Sequence, residues 1–178
     1  DVTFQAGGGT IDSNGFDVTV LAPLDGAGRL TKVGAGTLIL THVLTANSFS
    51  GGTLISDGTL QVGNGLLNGA LGSGDVVNNS ALVLYPNLLS MTVGNAISGS
   101  GTLEKRGFGQ LTLTGSNSYT GLTTISEGTL RLGDGGTSGT LGTNDVINNG
   151  QLAFNRSDAQ TLFNQISGSG GVRQIGSG

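Results

Sequence analysis

The chain has no Cys and no Trp, a single Met and two Pro, and its charged residues amount to only 10% of 178. Without cysteine there is no disulfide framework, no thiolate metal site and no cysteine nucleophile. No apolar run approaches the ~18 residues that span a bilayer, so no membrane insertion by this stretch is expected. The first residues lack the basic, then apolar, start of a secretory signal, so any signal is expected to have been cleaved or to lie outside the stretch. Seven basic residues stand against eleven acidic ones, a net charge of -4. That balance argues against neutralising phosphates, and nucleic acid is not an expected partner.

Glycine is in excess, at 35 residues, roughly a fifth of the chain where about 7% is usual. Either a disordered low-complexity chain or an all-β protein with many tight turns could use so much. Disorder goes with low hydrophobicity and high net charge. Here 35% of residues are hydrophobic, mostly Leu, Val and Ile in short alternating runs, and the reading is all-β.

The sequence repeats internally. Gly26-Ala-Gly-Arg-Leu-Thr-Lys-Val-Gly-Ala-Gly-Thr-Leu-Ile-Leu-Thr41 returns 73 positions later as Gly99-Ser-Gly-Thr-Leu-Glu-Lys-Arg-Gly-Phe-Gly-Gln-Leu-Thr-Leu-Thr114. Asn47 to Gly63 returns after 70 positions as Asn117 to Gly133, and Leu71–Asn79 as Leu141–Asn149. The change of shift places a three-residue excess within His42–Ala46. One unit of ~70 residues therefore occupies 26–97 and 99–166 and begins again at 168–178, about two and a half copies. Residues 1–178 are read as a single solenoid stretch.

Short apolar or alternating runs bounded by Gly, Asn, Asp or Ser mark strands at Val18–Leu21, Leu30–Val33, Leu38–Leu40, Thr53–Ile55, Leu60–Val62, Val76–Val77 and Leu82–Leu84. No stretch keeps a 3.6-residue period, so no helix is predicted. A sandwich or a propeller-blade array could hold such strands without needing repetition. A right-handed parallel β-helix with about three short strands per turn explains the repetition, because each turn buries its inner side chains only against its neighbours. Three turns of ~24 residues would account for one unit, and about seven turns for the chain. The inner stacks would hold Leu38, Leu40, Ile55, Leu60 and Val62, with Leu111, Leu113, Ile125, Leu130 and Leu132 as their equivalents. Phe49 and Tyr119 would occupy matching sites.

The stretch from Gly107 to Gly133, Gly-Phe-Gly-Gln-Leu-Thr-Leu-Thr-Gly-Ser-Asn-Ser-Tyr-Thr-Gly-Leu-Thr-Thr-Ile-Ser-Glu-Gly-Thr-Leu-Arg-Leu-Gly, resembles the autotransporter-associated β-strand repeat, also called the passenger-associated transport repeat. Gln110 stands for the usual Thr and Leu122 for the usual Gly. The earlier copy, Gly34–Gly63, differs by Phe49 for Tyr and by the His42–Ala46 excess. The resemblance implies a parallel β-helical piece of the passenger of a bacterial type V secreted protein, at the cell surface or released. It also implies one partner, a C-terminal translocator β-barrel of the same polypeptide.

Chemistry-bearing residues are sparse. His42 is the single candidate base for a Ser-His-Asp triad, with Ser48, Ser50 and Asp57 near in sequence, but no nucleophile elbow surrounds either Ser. Polysaccharide-active β-helices need converging carboxylates, whereas Asp12, Asp25, Asp57, Asp75, Asp134 and Asp145 sit beside turn residues. Asp75 and Asp145 are repeat equivalents, which suits a structural role. Of the basic residues, Arg29, Arg106, Arg131, Arg156 and Arg173 do not recur in step. Lys32 and Lys105 do, with Gln174 in the third copy. Gly72-Ser-Gly-Asp75 and Leu132-Gly-Asp-Gly-Gly136 lack the tandem nine-residue spacing of calcium-binding turns, and Asp12-Ser-Asn-Gly15 reads as a turn. Asn47, Asn117 and the pairs Asn78-Asn79 and Asn148-Asn149 suit corners where an amide bonds the backbone. No catalytic residue, metal or cofactor is assigned. The favoured role is a structural stem that displays another region and assists its own export. The alternatives are an adhesin face for host or neighbouring-cell ligands and, behind it, a polysaccharide-active enzyme.

Overall fold

The computed structural model describes residues 2–42 and 46–178. Residues 43–45, inside the His42–Ala46 excess, lie outside the described residues. The opening residues form β1 (Val2–Phe4), β2 (Gly9–Asp12) and β3 (Val18–Val20). β4 (Leu24–Gly26) leads into the first copy, which supplies β5 (Leu30–Val33), β6 (Thr37–Leu40), β7 (Thr53–Ile55), β8 (Thr59–Val62), β9 (Val76–Asn78), β10 (Ala81–Leu84) and β11 (Ser90–Val93), and β12 (Ile97–Ser98) leads into the second. The second supplies β13 (Thr102–Lys105), β14 (Gln110–Leu113), β15 (Thr123–Ile125), β16 (Thr129–Leu132), β17 (Val146–Asn148), β18 (Gln151–Phe154) and β19 (Ile166–Ser167), and β20 (Gly171–Gln174) opens the third. Each strand expected from the alternating runs is present, and no helix occurs among the described residues.

Every pairing among these strands is parallel. One sheet stacks eight strands in the order β19-β17-β15-β13-β10-β8-β6-β3, and two flanking sheets stack β12-β9-β7-β5-β2 and β11-β14-β16-β18-β20. Partners are separated by one turn of the coil: Gln110 faces Thr129, Thr37 faces Thr59 and Leu30 faces Thr53. The turns thus take 19 to 23 residues, shorter than the ~24 expected from the unit length, and eight stack in the longest sheet.

The shorter turn has a geometric consequence. Seventy-odd residues make about three and a third turns, so each copy starts one face further round than the last. Accordingly β5 lies in a flanking sheet while its repeat equivalent β13 lies in the eight-stranded one. Likewise β6 lies in the eight-stranded sheet and its equivalent β14 in the other flank. Three whole turns per unit is therefore not the arrangement. The eight-stranded sheet runs through both copies because the second copy's first face continues the first copy's second.

Two-residue alternation explains the core. The inner ladder Leu38, Leu60, Leu82, Leu103 is fully buried, and all ten residues expected in the inner stacks are 0–3% exposed. Each buried aliphatic side chain contributes roughly 1.5–3 kcal/mol. Phe49 and Tyr119 are both fully buried and occupy matching places. Ser73 N–H donates to the Phe49 carbonyl and Thr143 N–H to the Tyr119 carbonyl, both at 2.9 Å.

Candidate functional site

Among the described residues no hydrogen bond joins His42 to Ser48, Ser50 or Asp57. His42 is half-buried and its backbone N–H donates to Asn68 O at 3.0 Å. Ser48 and Ser50 are exposed, and their N–H groups donate to Leu24 O and Gly26 O of the preceding turn. The Asp57 carboxylate accepts from Gly58 N–H at 2.8 Å, a local turn bond. Asp145 accepts from Gln165 N–H at 3.1 Å, and the backbone carbonyls of Asp75 and Asp145 receive Thr53 and Thr123 N–H in equivalent ladders. Among the described residues no three His, Asp or Glu are grouped to hold a metal ion.

The structure gathers a different set: polar side chains turned into the coil at its corners, each tying one turn to another. Lys32 lies in β5 between Leu30 and the corner at Gly34, and has no exposed surface. Its Nζ donates to Val33 O (2.9 Å), Gly34 O (2.6 Å) and, one turn further on, Asp57 O (3.1 Å). Lys105 repeats this with Arg106 O (3.2 Å), Gly107 O and Glu127 O (2.9 Å). In the third copy Gln174 donates to Gly176 O and Gly178 O. Burial pushes the Lys105 ammonium down to about 8, with the Glu127 carboxylate opposing. Lys32 is also lowered by burial, against the pull of Asp57 and Asp12.

The asparagines act alike. Asn47 accepts from Leu24 N–H of the previous turn and donates to Ala70 O of the next. Asn117 does so with Ile97 N–H and Thr140 O. Asn78 and Asn148, fully buried, donate forward to Thr102 O and Gly171 O. Asn95 and its equivalent Asn164 donate backward, to Gly72 and Gly74 and to Gly142 and Asn144. The corner role expected of Asn47, Asn117, Asn78 and Asn148 is what the structure shows. Asn95 and Asn164 were missed in sequence because their surroundings differ between copies. The inward lysines were missed because a lone cation reads as solvated. The available signal was alternation: Leu30-Thr-Lys32 and Leu103-Glu-Lys105 put the lysine on the same face as a core leucine.

One cleft of about 190 Å³ lies in the second copy, between Leu132, Leu141, Phe154, Arg156, Leu162 and Asn164. Arg156 is nearly buried, bonded to Gly139 O, Thr137 O and the Asp158 carboxylate. In the first copy the corresponding segment is β11, which pairs with β14 and turns Met91 and Val93 into the core. The cleft is thus the place of an inner strand that the second copy does not form.

Residues 30–62 and 103–132 match the passenger-associated-transport-repeat family. Those two segments carry the passenger-associated transport repeat. It is also 34% identical, over 94% of its length, to the Adhesin BmaC autotransporter of Brucella suis biovar 1 (strain 1330). The chain spans 5% of that relative's length. No solved structure matches it. These similarities place the chain at the cell surface or among secreted proteins.

Proposed function

We propose that this segment is a structural stem of an autotransporter passenger. It holds an effector or adhesive region away from the cell and assists its own secretion by folding turn upon turn, as one unit over its two and a half copies. A C-terminal translocator barrel of the same polypeptide would be its partner in export. The observation that carries the reading is the unbroken eight-stranded parallel sheet through both copies. Stability in such a stack is nearly a sum of turn and interface contributions, so folding spreads from any formed turn to its neighbour. The absence of cysteine, which allows no disulfide to lock before export, and the low charge are consistent with threading through a pore. The segment itself carries out no catalysis on this reading, since its inward lysines and corner asparagines are occupied with backbone bonds.

The test is Leu113→Asp with Ile125→Asp in the intact protein. Both side chains are fully buried, and two buried carboxylates cost several kcal/mol. Surface exposure, scored against total protein made, should fall. Normal surface levels with a demonstrably unfolded second copy would leave only a spacer.

A second reading, an adhesive outer face for host or neighbouring-cell ligands, is favoured by one feature. Leu66, Leu88, Leu89 and Phe108 are each at least three-quarters exposed, on successive turns around Tyr85, whose ring lies against Gly65 and Gly107. Exposed apolar groups clustered in this way mark interaction surfaces. Leu88→Asp with Phe108→Asp should then reduce adhesion while leaving surface display unchanged.

A further inference from the structure

The strands of this coil are nearly interchangeable. Thr37–Leu40, Thr59–Val62, Ala81–Leu84, Gln110–Leu113 and Thr129–Leu132 each have four residues, with aliphatic side chains inward at the second and fourth. Stacking one of them a whole turn out of place would still set Leu on Leu, and the apolar core does not forbid it. Lys32 and Lys105 do distinguish the turns. Among the described residues they are the only charged side chains with no exposed surface.

Each lysine needs a particular neighbour. Its own corner supplies two carbonyls, and the third comes from the following turn, at Asp57 or Glu127. Gly58 and Gly128 adopt φ of 67° and 63° there, a conformation that turns the preceding carbonyl toward the ammonium and that L side chains resist. A Cβ on Gly58 would lie 2.8 Å from Lys32 Nζ, so space as well as charge is matched. The turn after that offers something else. In the inner ladder Lys32, Ile55, Asn78, the third member is an amide already donating forward to Thr102 O, and its corner carries Asn79-Ser80 without a positive φ. The second copy has the same order, Lys105, Ile125, Asn148, and Gly150 there is likewise not at positive φ.

We propose that Lys32 and Lys105, with Gly58 and Gly128 of the following turn, form a register key that seats the next turn on the one bearing the lysine and refuses the turn after it. Buried polar groups fixing register at some cost in stability are known from coiled coils. Here the device serves a repeat chain whose apolar faces cannot tell their neighbours apart. The inference goes beyond the stem reading and does not depend on export, because its readout is the register of the refolded chain.

The experiment uses the 178-residue chain refolded from urea as wild type, Lys105→Met and Lys105→Gln. The methionine keeps apolar bulk without a donor, and the glutamine copies Gln174. Wild type and Lys105→Gln should each give one set of amide resonances. Lys105→Met should fold to a β-rich form yet lose the single set for residues 102–132, with hydrogen exchange resolving more than one protection pattern. A single set for Lys105→Met, with wild-type protection, would overturn the key. So would a Lys105→Met chain that does not fold while Lys105→Gln does, because the lysine would then fill the cage and not select the turn.

Discussion

A single atom distinguishes the two copies at their most similar point. Tyr119 and Thr123 share a buried hydrogen bond of 2.8 Å between hydroxyls. In the first copy the ring is Phe49, and the Thr53 hydroxyl is buried with no partner. An orphaned buried hydroxyl is costly, and a restored bond is worth about 0.5–1.5 kcal/mol. Phe49→Tyr should therefore raise the unfolding free energy measured in urea by about that amount, and Tyr119→Phe should lower it similarly. The inward lysines give the second prediction at this scale. A lysine whose folded value is about 8 loses its proton before the unfolded chain does, so the unfolded state binds more protons above pH 8. Stability then rises with pH, the same sign as for paired carboxylates on the acid side, though here the rise relieves the penalty of a buried charge. The lowered Lys32 acts in the same direction. Burial raises Tyr119 and works against folding once free tyrosines ionise near pH 10. Urea midpoints should climb between about pH 8 and 9.5, and Lys105→Met should flatten the climb.

At the scale of an element, the corners decide more than the strands do. The strands from Val18 to Leu84 were legible because apolar alternation and flanking Gly or Asn are local signals. The corner bonds between turns were not, since they join residues 20 to 25 apart through side chains that look solvent-loving in a linear reading. Turn length was overestimated because the unit was divided into whole turns, and no local pattern shows that a repeat advances by a fraction of one. Strand β11 and the segment 159–163 show the remaining limit. Ser-Met-Thr-Val gives two inward apolar residues, Met91 and Val93, whereas the later segment has Gln160 where Met91 stands and leaves a cleft. The corner argument predicts a difference between glycines. Gly58→Ala meets both a positive φ and close contacts with Gly34 O and Lys32 Nζ, and should cost about 2–4 kcal/mol. Gly15→Ala has a similar φ of 82° but open space around it, and should cost about 1 kcal/mol. Equal losses in urea unfolding would mean that backbone strain alone, and not the closeness of the cage, constrains Gly58.

For the whole molecule, the coil and not the copy is the unit of construction. The copies are offset by about a third of a turn, so removing one entire copy would leave strands meeting the wrong face, whereas removing one entire turn would not. Thr59 pairs with Ala81, so deleting residues 59–80 joins Gly58 to Ala81 and sets β10 directly on β6. The inward pattern is kept, Leu82 over Leu38 and Leu84 over Leu40, and the Lys32 cage with Asp57 and Gly58 remains whole. Deleting only residues 59–69 removes half a turn and carries the following strands to the opposite side of the coil. The first chain should fold with a β-rich circular dichroism spectrum and an m-value lower by roughly an eighth, in proportion to the surface it buries. The second should lose cooperative unfolding. If both deletions folded equally well, the turns would not be stacked through these pairings. If neither folded, the two copies would each be indivisible, and stability would not be a sum over turns. A folded chain after the whole-turn deletion alone would also bear on export, because a stem assembled turn by turn can change its length without changing how it folds.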